Sequence, residues 1–203
     1  MPLHVLAVRA SLFGDDGQSS RLVAHFLDRL EQQQPDLHLQ QRMLTPESMP
    51  HLDAATFKAF GSDAEARGEL QRERVERSDT LIAELRESDL LVLGLPMYNF
   101  AVPSTVKAWF DHLARAGVTF RYTENGPEGL LTRPRTLIIA TRGGRYAGTP
   151  ADTQTPWVET FLNFIGIRKI DWVYAEGLAT AAAEDSLADA QRALDEQARS
   201  FDP

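Results

Sequence analysis

Leu90-Leu91-Val92-Leu93-Gly94-Leu95, bounded by Asp89 and Pro96, carries no polar side chain. A strand of that kind needs both faces buried, which happens at the centre of a parallel sheet covered by helices on each side. The rest of the chain must therefore supply flanking strands and two helical layers. Leu3 to Val8, Thr136 to Thr141 and Lys169 to Tyr174 read as strands, and Leu37 to Met43, alternating with period two, reads as an edge strand.

The helical segments fall between these strands. Leu22, Phe26 and Leu30, widened by Val23 and Leu27, predict an amphipathic helix over Gln18 to Gln33. Leu70, Val75, Leu81, Ile82 and Leu85 predict a long helix ending near Glu87, and Ala54 to Phe60 a short one inside the weakly patterned stretch Thr45 to Gly68. Ser104, just after Pro103, is a suitable cap for a helix carrying Val106, Phe110 and Leu113. Further helices are expected from Thr153 to Phe164, stopped at Gly166, and from Ala183 to Arg199. Val118 to Tyr122 and the turn residues Asn125-Gly126-Pro127 predict an inserted hairpin. This alternation implies right-handed crossovers and a three-layer, doubly wound α/β fold: five parallel strands with helices on both faces. At 203 residues the chain is expected to form one domain spanning 1–203.

Composition narrows the chemistry. With 21 Lys and Arg against 29 Asp and Glu the net charge is -8, which disfavours nucleic acid as a partner. The absence of cysteine excludes disulfides, thiolate metal sites and a cysteine nucleophile, so redox chemistry would need a bound cofactor. The five histidines lack ligand spacing, so no metal is expected. The apolar start is too short for a signal segment and nothing approaches a spanning length, so no membrane partner and a cytoplasmic location are expected.

In open sheets of this class ligands bind beyond the carboxyl ends of the strands. Three loops meet that description. Ser11 to Ser20 opens a helix with hydroxyls and free N–H groups, suited to a phosphate, although Ser19 could equally serve as a cap and Asp15 and Asp16 oppose an anion unless turned outward. Pro96-Met97-Tyr98-Asn99-Phe100 is apolar and amide-bearing, suited to a flat ring. Arg142-Gly143-Gly144 offers close backbone approach and a positive charge. Neither Gly-x-x-x-x-Gly-Lys, Gly-x-Gly-x-x-Gly nor Gly-x-Ser-x-Gly is present, which argues against nucleotide fingerprints and a hydrolase elbow.

Gln18-Ser19, Pro96 to Phe100, Ala116 to Leu130, Arg142-Gly143-Gly144 and Phe164-Ile165-Gly166-Ile167, in that order and spacing, resemble the FMN-dependent NADH azoreductases, also called FMN-dependent NADH:quinone oxidoreductases. The resemblance implies a flavodoxin-like fold, a homodimer, and FMN held by Ser11, Gly17, Gln18 and Ser19 at the phosphate. Met97, Tyr98, Asn99 and Phe100 would line the ring and ribityl chain, with Thr141, Arg142, Gly143 and Gly144 at the other ring edge. It further implies NADH or NADPH as donor, quinones or azo compounds as acceptors, ping-pong transfer through flavin N5, and no obligatory catalytic side chain. Phe120, Tyr122, Tyr146, Phe161 and Phe164 are candidates to stack on substrates, and Trp109 or Trp157 to anchor the dimer. Ala10 and Gly17 stand where serine is frequent, and Arg145-Tyr146 where Ile-His is common. A flavodoxin-type electron carrier is the alternative.

Overall fold

The computed structural model describes residues 2–201; Met1, Asp202 and Pro203 lie outside the described residues. Five strands, β1 (His4–Arg9), β2 (His38–Met43), β3 (Leu90–Pro96), β6 (Arg135–Thr141) and β7 (Ile170–Ala175), form one parallel sheet in the order β2-β1-β3-β6-β7. Strands β4 (Phe120–Thr123) and β5 (Gly126–Gly129) form the separate hairpin. The helices are α1 (Gln18–Gln33), α2 (Ala54–Phe60), α3 (Glu69–Glu87), α4 (Ser104–Leu113), α5 (Gln154–Ile165) and α6 (Ala183–Ser200). The doubly wound expectation holds, and β3 is central and buried along its whole length.

Alternation along the strands explains the two layers. Val5, Ala7, Leu90, Val92, Leu137 and Ile139 face α1 and α6, whereas Leu6, Val8, Leu91, Leu93 and Ile138 face α3, α4 and α5. β2 forms by pairing with β1 rather than by burying a face: it is mostly exposed, Leu39 included. Leu70 is also exposed, because the buried stripe of α3 begins only at Val75. Ser104 is the first helical residue of α4 and makes no cap bond; Pro103 occupies the cap position. The hairpin turns at Glu124-Asn125, and Pro127 pairs with Tyr122 inside β5. Among the described residues no helix is long and apolar enough to cross a membrane.

The stretch Thr45 to Gly68 is docked through α4. His112 is buried, with Nε2 3.0 Å from the Pro50 carbonyl and its ring edge-on to Phe60. Burial, with Arg77 nearby, lowers the His112 pKa against the opposing effect of the Pro50 bond. Its unfolded form therefore binds protons first, so stability is complete above the ordinary value of 6.5 and declines as pH falls below it. The melting temperature should drop between pH 7 and 5, and His112→Gln should remove part of that drop; an identical pH profile in the variant would exclude His112 as its source.

Candidate functional site

The strand order reverses between β1 and β3, so the loops after them diverge and leave a crevice. After β1 the chain makes a 3-10 turn over Gly14–Asp16 and enters α1 with Gly17 as cap residue. Ser19 is therefore not the cap. Its hydroxyl and that of Ser20 are buried in the first turn of α1 without a hydrogen-bond partner among the described residues. Such a group costs about 1–3 kcal/mol unless something satisfies it. An oxyanion at this positive helix end would do so, and the residues present thus fit a phosphate. Asp15 and Asp16 do not oppose it, being exposed and paired outward with Arg9 and Arg21. Gly17 is explained by its neighbour: a Cβ there would lie 1.9 Å from Ser11 Oγ.

The loop after β3 is tied down on several sides. Met97 N–H donates to Thr141 O at 2.9 Å, Tyr98 and Ala101 exchange backbone bonds at 3.0 Å, and Leu12 N–H donates to Tyr98 Oη at 3.2 Å. Asn99 and Phe100 sit between them with φ of 50° and 64°, a left-handed pair without glycine that costs on the order of 1–3 kcal/mol per residue. Phe100 is half-exposed, and its ring meets Tyr146 edge-on at 5.5 Å.

The loop after β6 requires a correction. Arg142 does not present its charge to a ligand, because its side chain is fully buried. Nη1 reaches Glu176 at 3.0 Å and Asp152 at 3.1 Å, Nη2 donates to Thr155 Oγ1 at 2.8 Å, Nε donates to Gln154 Oε1 at 3.2 Å, and the guanidinium lies over the Tyr174 ring. Two carboxylates outcompete a solvent-facing position for this cation. Burial raises the Asp152 pKa, but bonds from Thr155 and Arg142 outweigh it and hold the carboxyl below its ordinary value; burial keeps the Tyr174 phenol high. The carbonyls of Arg142, Gly143 and Gly144 accept from Leu178, Ala179 and Gly177, while Glu176 Oε1 accepts from the N–H groups of Tyr146 and Ala147. Among the described residues the N–H groups of Gly143, Gly144 and Arg145 find no acceptor, and Gly143 and Arg145 are exposed. This edge therefore presents backbone donors. Asp152, Gln154 and Glu176 escaped the sequence reading; Glu176, a carboxylate directly after a strand's carboxyl end, carried the one signal that could have marked it.

The five aromatic substrate candidates fall into three groups. Tyr146 borders the crevice beside Phe100. Phe120 is buried against Phe164 at 4.4 Å, with the exposed Tyr122 edge-on to it. Phe161 stacks on Phe110 at 4.0 Å, next to Trp157. Trp109 is buried in the core and cannot anchor an interface; Trp157 lines an apolar cavity of about 390 Å³ with Phe100, Val102 and Lys107.

Residues 3–198 match the family model described as a flavodoxin-like fold. An FMN-dependent NADH:quinone oxidoreductase of Cellvibrio japonicus is 46% identical over 95% of this chain and 97% of its own length. One from Burkholderia thailandensis is 44% identical over 94% and 97%. Among solved structures, azoreductase AzrA superposes with a TM-score of 0.89 at 25% identity, covering 98% of this chain and 100% of its own. An FMN-dependent NADH-azoreductase of Bacillus anthracis, crystallised with FMN, gives a TM-score of 0.88 at 25% identity over 97% of this chain and 98% of its own. With relatives this similar along nearly its whole length, the chain belongs to the flavodoxin-like family of FMN-dependent NADH:quinone oxidoreductases and azoreductases.

Proposed function

We propose that this protein binds FMN across the three loops and passes two electrons from NADH or NADPH to quinones, and to aromatic azo compounds. The observation that carries this reading is a pair of donor sets in loops that follow strands of one parallel sheet, both at its carboxyl end. The orphaned Ser19 hydroxyl sits at a helix N-terminus, and free N–H groups of Gly143, Gly144 and Arg145 stand at the opposite loop. Ser11, Gly17, Gln18 and Ser19 would hold the phosphate; Met97 to Phe100 would lie along the ring, and Thr141, Gly143 and Gly144 would meet its far edge.

When bound, FMN would supply two-electron redox chemistry between the nicotinamide donor and the acceptor, of the ping-pong kind through flavin N5 that the resemblance implies. The chain's part would be positioning: the backbone donors of Gly143 and Gly144 would stabilise charge on a bound ring, and Phe100 with Tyr146 would keep water from it. No side chain is assigned as acid or base. Tyr122, Phe120, Phe161 and Phe164 contribute to an acceptor pocket if a second copy completes the site, and the exposed Leu12, Phe13, Phe100 and Tyr122 support a homodimer. In this reading the chain works as one domain, in the cytoplasm.

Anaerobic titration of the FMN-reconstituted protein with NADH should bleach the oxidised flavin bands, and benzoquinone should restore them. Flavin bound but not bleached would replace this reading with an electron carrier fed by another donor. Failure to bind FMN would remove it.

A further inference from the structure

The two loops placed against the flavin ring are far apart in sequence, yet one side chain joins them. Gln154, the first residue of α5, is fully buried. Its Oε1 accepts from Arg142 Nε at 3.2 Å, which orients the amide. Its Nε2 then donates to Pro96 O at 3.0 Å and reaches Ala101 O at 3.4 Å, the two carbonyls that bracket the loop after β3. The adjacent Thr153 hydroxyl donates to Phe100 O. Between these anchors lie Asn99 and Phe100, both in the left-handed region. Such a turn persists only where surrounding contacts over-determine it.

We infer that Gln154 is the positioning residue that holds the Met97–Phe100 loop against the Gly143-Gly144 edge, so that the flavin pocket is set before any ligand arrives. The inference rests on the FMN reading above and concerns a residue that touches neither the ring nor the substrate in that reading. The chemistry is specific to an amide. Arg142 needs an acceptor at one end of the side chain, and the carbonyls of Pro96 and Ala101 need a donor at the other. At this length Gln presents both, whereas an ionised Glu beside the Arg142 cation only accepts. Arg142 fixes which end points where, so the buried ion cluster orients the amide that shapes the loop.

Gln154→Glu keeps length and the acceptor for Arg142 but sets a carboxylate oxygen against two carbonyls. In the apoprotein, hydrogen exchange at the Tyr98 and Ala101 amides should accelerate about tenfold or more, with the β3 amides unchanged. In the FMN titration, followed by quenching of flavin fluorescence, Kd should rise about tenfold, and in the FMN-saturated protein KM for NADH should rise more than kcat falls. Thr153→Val, at an exposed position that tolerates the change, should shift exchange and Kd in the same direction by a smaller factor. It also decides the matter should Gln154→Glu not fold. Unchanged exchange at Tyr98 and Ala101 with unchanged FMN affinity would overturn the inference while leaving the FMN reading intact. A parent protein that binds no FMN would overturn both.

Discussion

Arg142→Met should lower the melting temperature by roughly 10–15 °C, the equivalent of about 3–5 kcal/mol in a chain of this size. The substitution leaves Asp152 and Glu176 nearly buried with no cation between them. Removing one partner of a buried pair is costlier than the pair is worth, because the remaining charge keeps its desolvation penalty. Arg142→Lys should recover only part of the loss, since an ammonium cannot serve Gln154, Asp152, Glu176 and Thr155 together. Adding Glu176→Gln to Arg142→Met should cost less than the two single losses combined, because one unpaired charge disappears with it. Thermal unfolding by circular dichroism reads all four variants. A loss near zero for Arg142→Met would mean that the carboxylates swing to water.

Gly129→Ala should be similarly severe, at about 3 kcal/mol or more, for a steric reason. An added Cβ would sit 2.1 Å from Gly166 N and 2.3 Å from Ile165 C, backbone atoms at the end of α5 that cannot rotate away. Gly166 cannot yield either: it caps α5 in the left-handed region at φ 110°, with its own Cβ position closed by Leu131. The hairpin must lift, giving up the Leu131 N–H to Ile165 O bond, the burial of Leu131 and the Phe120–Phe164 contact. Urea unfolding should show the loss, and Tyr122 should become cleavable by chymotrypsin in the native state. A variant with parental stability would mean that the crossing of β5 and α5 is looser than the contact distances require.

Much of the candidate site is legible in the sequence because its signals are local. An apolar run bounded by Asp89 and Pro96 announces a central strand by itself, and in doubly wound sheets ligands bind beyond the carboxyl ends of the strands where their order reverses. Gln18-Ser19 and Met97 to Phe100 are candidates on that ground, lying after the carboxyl ends of β1 and β3. Arg142 was misread for the complementary reason. A cation beside paired glycines suggests ligand contact, yet its partners Gln154 and Glu176 lie 12 and 34 residues on, and nothing near Arg142 in the chain announces them. Trp109 failed similarly: an aromatic on an amphipathic helix reads as surface or core according to how wide the buried face becomes in the assembled layers.

What the amino-acid order determined by itself was the succession of strands and helices, the centrality of β3 and the three loops that follow the carboxyl ends of β1, β3 and β6, since these follow from periodicity and turn chemistry within windows of ten or so residues. Tertiary structure alone decided the direction of the Arg142 guanidinium, the need for glycine at 129 and the bridging by Gln154. Each of these depends on where a second segment, distant in the chain, delivers its carboxylate, backbone or carbonyl, and such positions are set only when the layers close.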